Sequence, residues 1–145
     1  PINSSFQLVA AVDLPQLTEE EIAAAKEVSV LPVSKIVFRP NSTELTAADE
    51  RTLDEEVIPF LLSSPTFYMK LGGSSSNVGG KFPLDQIERY SDLRTEAIIV
   101  YCEASGVDRD RFIPYWIPPQ FPDSQNPLDH DEDRYVKFTP LDTGW

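Results

Sequence analysis

One arginine stands where a hydrophobe is expected. In the stretch Pro83 to Gly106, PLDQIERYSDLRTEAIIVYCEASG, the residues Ile87, Tyr90, Arg94, Ala97, Ile98 and Tyr101 recur at steps of three and four, which gathers them on one stripe of a helix. Arg94 lies in the middle of that stripe. A guanidinium facing inward needs a carboxylate, a phosphate or a set of carbonyls, because an unpaired buried charge is strongly unfavourable. By spacing alone such an arginine packs its stem and snorkels to water. The loop before the helix, Gly72-Gly73-Ser74-Ser75-Ser76-Asn77-Val78-Gly79-Gly80, could cradle an anion with its amides. It lacks the Gly-Lys-Ser/Thr ending of a P-loop and the spacing of a dinucleotide fingerprint, so its composition predicts a flexible connection.

Other chemistry is sparse. His130 is the lone histidine and sits in Leu128-Asp129-His130-Asp131-Glu132-Asp133. That run could bind a divalent cation through oxygens, but it lacks the glycine turn and terminal glutamate of an EF-hand loop, so a solvated acidic loop is expected and a calcium-responsive module stands as a distant alternative. Tyr115 and Trp116, with Pro118, Pro119 and Pro122, could form an aromatic recognition platform, although burial against a sheet is the commoner fate of such residues. The lone Cys102 can form no intrachain disulfide and no cysteine metal site, and among Val100, Tyr101 and Ala104 it is expected to pack as a small hydrophobe. No histidine adjoins a nucleophile motif and no zinc-like spacing occurs, so the sequence predicts a non-enzyme that needs no metal or cofactor.

Composition bounds the rest. The 145 residues fit one domain or a domain with an appendage, and 41% hydrophobic and 10% aromatic content suffices for an ordinary core. A formal charge of −12 disfavours nucleic acid and anionic lipid surfaces as partners. No apolar run reaches membrane-spanning length, and the absence of an initiator methionine predicts a piece of a longer protein or assembly.

The elements that must position Arg94 follow from local pattern. Residues 1–33 are expected to be an appendage or linker, with a strand at Phe6 to Val12 and a short helix opened by the capping box Thr18-Glu19-Glu20-Glu21. The domain proper, 34–145, begins with a strand at Lys35 to Arg39 that Pro40 stops. Thr46 and Asp49 open a helix with Leu53, Val57, Phe60 and Leu61 inward, and Pro59 should kink it or mark its last turns. A second strand covers Thr66 to Leu71, the arginine-bearing helix follows and is capped by Gly106, and a third strand covers Arg111 to Ile117, where Pro114 marks an edge or bulge. Pro118 to Asp133 is expected to be a long surface loop, and Arg134 to Thr139 the last strand. The β-α-β-α-β-β order predicts an α/β (α+β) two-layer sandwich, a mixed four-stranded sheet with helices on one face.

The order of elements and several residues together resemble the C-terminal, peptidoglycan-binding domain of the outer membrane protein A (OmpA) family over about Val33 to Thr139. Val37-Phe38 followed by Asn41-Ser42-Thr43-Glu44-Leu45 is similar to the family's first strand and helix entry. Gly72 to Ser76 occupies the place of its Gly-x-Thr-Asp loop, and Tyr90-Ser91-Asp92-Leu93-Arg94 resembles its Leu-Ser-x-x-Arg. Ser105-Gly106-Val107 with Arg111-Phe112 resembles its turn into the third strand, and Asp133-Arg134-Tyr135-Val136 its closing Asn-Arg-Arg-Val. Segments of the type VxFRPNSTELT…VIPFL are also similar to versions attached to periplasmic solute-binding domains, which would make residues 1–33 a tail from such a neighbour.

The resemblance implies a bacterial periplasmic or cell-envelope module whose partner is peptidoglycan or an envelope protein. In the family the loop aspartate and the helix arginine grip the diaminopimelate of the stem peptide. A carboxylate there faces the ammonium, and a guanidinium pairs with the carboxylate. Arg94 carries over to the arginine. The acidic slot falls on Ser75, a loss that implies weak binding or a changed ligand. Asp85 is the candidate substitute, and Ser74, Ser75, Ser76, Asn77 and Ser91 are the candidate lining. The rival expectation is a protein-interaction or scaffolding domain that keeps the fold, with Arg94 tied internally to Asp85 or Asp92.

Overall fold

A computed structural model describes residues 17–28, 31–77, 80–120, 126, 130 and 132–144. The strand expected at Phe6 to Val12 lies outside them. Five strands build one mixed sheet: β1 (Lys26–Glu27), β2 (Lys35–Val37), β3 (Phe67–Gly73), β4 (Phe112–Trp116) and β5 (Tyr135–Asp142). Its order is β1-β5-β3-β4, with β2 also paired to β5. Because β1 and β2 take opposite ends of the same edge of β5, five strands make a sheet four strands wide. Among the described residues only the β3–β4 pairing is parallel, as expected of strands joined through a long helix. The fifth strand comes from the segment expected to be an appendage: Lys26 and Glu27 face Asp142 and Leu141.

The helices start where side chains satisfy the first free amides. In α1 (Glu19–Ala24), Thr18 and Glu21 form the expected capping box. Thr46 and Asp49 form another ahead of α2 (Ala47–Thr52). The chain continues through a π-helical turn, Leu53–Val57, into α3 (Ile58–Ser63). Pro59 explains the turn. Proline has no amide proton and its ring crowds the carbonyl four residues back, and a wider turn just before it relieves that crowding while Ile58 donates to Leu53. Leu53, Val57, Phe60 and Leu61 are all buried, as their spacing requires. The Arg111 guanidinium closes the end of α3 by donating to the carbonyls of Leu61, Ser64 and Phe67.

The core lies between the sheet and these helices, with Met69, Leu71, Val136 and Phe138 from the strands meeting Leu53, Leu61, Ile98 and Cys102. The long helix α4 (Leu84–Ala104) crosses the same face, and Gly106, at φ 97°, ends it in the left-handed conformation that glycine adopts without strain. Its buried stripe is Ile87, Ser91, Arg94, Thr95, Ile98, Ile99 and Cys102. Tyr90, Ala97 and Tyr101 are only half-buried, so the stripe is rotated towards small side chains relative to expectation.

That rotation has a cause in β3. Gly72 and Gly73 are not part of a flexible connection: both are strand residues, and Ser74, Ser75 and Asn77 after them are buried. A Cβ on Gly73 would come within 2.8 Å of the Ser91 carbonyl oxygen and of Thr95 Cγ2. The bare glycine therefore lets α4 rest directly on the strand. On the opposite face Tyr115 and Ile117 fold over Gly72, where a Cβ would meet both at 2.6 Å. Lys70 stacks on that Tyr115 ring, 5.0 Å from its centroid.

Pro114 falls on β4, a strand that among the described residues pairs on one side only, as a residue without an amide proton should. The end of the loop before β5 departs from a solvated surface. His130 is 5% exposed and Asp133 fully buried, its carboxylate accepting from the Gln120 amide.

Candidate functional site

Arg94 is 1% exposed, so its charge does not reach water by snorkelling. Two backbone segments, the turn 39–42 and the loop 74–75, converge on it. Nε donates to the Ser42 carbonyl at 3.0 Å, Nη2 to the Arg39 carbonyl at 3.3 Å, and Nη1 to the Ser74 carbonyl and to Ser75 Oγ, each at 3.2 Å. Its Cζ lies over the rings of Phe38 and Tyr90, with centroids 5.2 and 5.0 Å away.

The Arg39 and Ser42 carbonyls are turned inward by a tight turn. Ser42 donates to Arg39, Pro40 takes the second position, and Asn41 has φ 54°, a left-handed conformation that asparagine tolerates better than most residues. The Pro-Asn-Ser sequence signals such a turn, but not that its carbonyls grip an arginine.

Carbonyl and hydroxyl dipoles solvate the cation without neutralising it. Among the described residues no carboxylate pairs with Arg94, whose partners there are all carbonyls or a hydroxyl. The internal ion pair expected with Asp85 or Asp92 is not formed. Asp85 is exposed in the first turn of α4, and Asp92 projects from another side of the helix. Burial pulls the Arg94 pKa down to about 10, with the nearby Arg134 guanidinium adding to the fall against the opposing influence of Tyr90.

A cavity of about 180 Å³ opens beside Arg94, walled by Ser75, Ser76, Phe82, Tyr90 and Arg134 together with Asn41, Gln86 and Ile87. Ser75, Ser76 and Arg94 of the candidate lining thus meet there. Ser74 contributes its carbonyl to Arg94 but does not line the cavity, and its buried hydroxyl has no partner among the described residues. Ser91 lies behind Ser75, its Oγ 2.9 Å from Ser75 Oγ and 2.9 Å from the Ile87 carbonyl. Asn77 ties down the loop, its side chain bonding both the amide and the carbonyl of Phe82. That clamp presents the Phe82 ring to the cavity. Asp85 does not line it.

Arg134, Phe82, Gln86 and Asn41 are site residues the pattern of the sequence did not single out. The signal for Arg134 was its place at the start of β5, where alternation and the neighbouring loop decide its side.

A larger cavity, about 580 Å³, lies between α1, α4 and the β4 edge, away from Arg94. Its acids Glu88, Asp92 and Glu96 are exposed or half-exposed on α4, and Glu96 is bridged by Arg109 at 2.7 Å. No group of three or more His, Cys, Asp or Glu side chains could hold a metal ion among the described residues. Among those residues, too, no helix is long and apolar enough to cross a membrane.

The two-layer α/β sandwich on which this arginine sits is the fold of OmpA-like domains. No family model matches the sequence, and no curated protein matches it. Solved structures do. It is similar to the peptidoglycan-associated lipoprotein of Burkholderia pseudomallei at 13% identity and TM-score 0.65, over 74% of this chain and 90% of that one. The OmpA-like domain of FopA1 from Francisella tularensis matches at 15% identity and TM-score 0.60, over 90% and 92%. The cell wall anchor of the T6SS from Pseudomonas aeruginosa matches at 15% identity and TM-score 0.57, over 86% and 92%. At such identities the likeness is one of fold.

Proposed function

We propose that this domain is a non-enzymatic module of the bacterial cell envelope that binds peptidoglycan through a carboxylate of the stem peptide. The observation that carries the reading is Arg94, a buried guanidinium with no carboxylate among its described partners, at the wall of a cavity that a second arginine also lines. A carboxylate entering beside Arg94 supplies the countercharge the fold leaves out. Structures it is similar to include a peptidoglycan-associated lipoprotein and a cell wall anchor, which supports the same reading. With Ser75 in the place of an acid, binding of a zwitterionic diaminopimelate end is weak. Losing a desolvated charge partner typically costs about 2–5 kcal/mol.

The test is co-sedimentation of the purified chain with diaminopimelate-type peptidoglycan, alongside Arg94→Lys and Arg134→Gln variants that still unfold cooperatively. Retention of the wild type that falls in both variants is expected. Retention no greater than that of the folded variants would leave a scaffolding domain that keeps the fold without the ligand.

A further inference from the structure

The larger cavity, between α1, α4 and the β4 edge, joins an acidic wall to an apolar one. Glu88, Asp92 and Glu96 stand at steps of four on α4 and form one row along the cavity, with about 6 Å between neighbours. Phe112, Pro114 and Trp116 line it from β4, and Asp110 adds a fourth acid from the turn before that strand. One cation answers these acids. Arg109 bridges Glu96 at 2.7 Å and is shared with Glu103 at 3.1 Å, which leaves Glu88, Asp92 and Asp110 without an ion pair among the described residues. No lysine or arginine remains to supply one: all twelve in the chain lie within the described residues, and Arg109 is the one that lines the cavity.

Trp116 points to a ligand on grounds other than charge. It lines the same cavity, and its indole Nε1 is shut off from solvent with no partner among the described residues. A buried donor left unpaired is unfavourable, and an acceptor brought by a ligand removes that cost. The strand edge itself is poorly suited to adding another strand. Ile117 donates its amide to Gly73 of β3, so by alternation the outward positions of β4 are Phe112, Pro114 and Trp116. The Phe112 amide is taken by the Arg109 carbonyl, and Pro114 has none. A partner must therefore engage side chains.

An extended peptide fits these walls. Its side chains on one face recur about every 6.7 Å, close to the step of the acidic row. Lysines or arginines at alternate positions meet Glu88 and Asp92, the apolar residues between them turn to Phe112 and Trp116, and the peptide backbone carries carbonyls for the indole. The volume of about 580 Å³ lies within the ~300–1,000 Å³ usual for ligand sites.

We propose that this cavity docks an extended basic segment of a partner protein, with lysine or arginine at alternate positions and apolar residues between them. The site is separate from the Arg94 cavity and does not depend on the peptidoglycan reading.

The probe is the end-blocked peptide Lys-Leu-Lys-Leu-Lys, titrated into the full chain and followed by backbone amide shifts. The shifts should concentrate on β4 and on α4 from Glu88 to Glu96. Glu88→Gln combined with Asp92→Asn should weaken binding about five-fold or more without lowering the unfolding midpoint. Raising salt from ~0.05 to ~0.5 M should weaken it by a similar factor. Lys-Lys-Lys-Leu-Leu, the same composition without the alternation, should bind more weakly than the probe, which separates docking from general attraction to a chain of net charge −12. Equal binding of the two peptides, or of the wild type and the double variant, overturns the proposal. So does a wild type that binds neither peptide, the result expected if residues 1–16, which lead into Leu17 at the cavity, fill the space. A dimer formed by the wild type and not by the double variant assigns the cavity to a second copy and likewise overturns it.

Discussion

The hydroxyl oxygens of Ser75 and Ser91 lie 2.9 Å apart, one on the loop after β3 and the other on α4. Each hydroxyl has one proton. Ser91 Oγ also lies 2.9 Å from the Ile87 carbonyl, and Ser75 Oγ accepts from Arg94. The Ser91 hydroxyl is aimed at both Ser75 Oγ and the Ile87 carbonyl, and Ser75 Oγ accepts from Ser91 on one side and from Arg94 on the other. Ser75 is thereby an acceptor joining the arginine to the helix as well as a wall of the cavity. Replacing it perturbs the charge of Arg94 and the seating of α4 together.

Arg94→Lys should destabilise the fold by about 3 kcal/mol or more. A lysine ammonium cannot reach the Arg39, Ser42 and Ser74 carbonyls at once, and each buried acceptor left unpaired costs about 1–3 kcal/mol. Urea unfolding measures this. A loss below about 1 kcal/mol would mean that the three carbonyls find other partners. Because of this cost, Arg134 is the cleaner position for binding tests.

Gly73→Ala should be worse than Gly72→Ala. The Gly73 methyl would strike a backbone carbonyl of α4, which cannot move without moving the helix, whereas the Gly72 methyl meets the ends of Tyr115 and Ile117, which can swing aside. A cost of about 2–3 kcal/mol is expected for Gly73 and about 1 for Gly72, within the usual range for overpacking. Comparing the two midpoints in one denaturant series decides it.

Stability should fall as pH rises from about 9 towards 12. Burial, aided by the Asp54 charge, pushes the Cys102 thiol from 9.0 up to about 12. Since the folded pKa is the higher one, this contribution is complete below pH 9, where thiol is protonated in both states. It is lost as the unfolded thiol ionises first, by up to about 1.4 kcal/mol per pH unit. Tyr101, raised to about 12 chiefly by its hydrogen bond to Asp54, adds a slope of the same sign. Cys102→Ala should therefore flatten the alkaline fall without abolishing it. Native Cys102 should also resist thiol reagents at pH 8 until the chain is unfolded.

Lys137→Glu should stabilise the sheet. Lys35 and Lys137 are direct cross-strand neighbours in the β2–β5 pair, an unfavourable arrangement of like charges. The substitution creates an opposite-charge pair and keeps Lys35 over the Tyr135 ring at 5.4 Å. A gain of about 0.2–1 kcal/mol is expected. It should appear as a rise of about 1–4 °C in thermal midpoint that shrinks at about 1 M salt.

The helix limits, the capping boxes at Thr18 and Thr46 and the edge position of Pro114 were legible because each depends on chemistry within a few residues. What depends on contact at a distance was not. Hydrophobic spacing placed Tyr90, Ala97 and Tyr101 on the inward stripe of α4 beside Ile87, Arg94 and Ile98, but the bare backbone at Gly73 draws in Ser91 and Thr95 instead of those three. Gly72 and Gly73 suggested a loose connection for the same reason: composition records that a side chain is missing, not what occupies its space. Arg94 was legible as an anomaly. The carbonyl cradle that holds it came from turns whose direction no local pattern encodes.

The sheet order also bears on how the chain reaches this structure. β5 pairs with β1, β2 and β3, and its partner Lys35 lies roughly a hundred residues before Lys137. During synthesis β1 and β2 must wait for that last strand, while β3, α4 and β4 can assemble a parallel unit among themselves. Such non-local closure is slow, and the edge of β3 that later receives β5 stays open to other strands until it is filled. Translation speed and chaperone supply over that interval should set the yield of folded protein more strongly than equilibrium stability does.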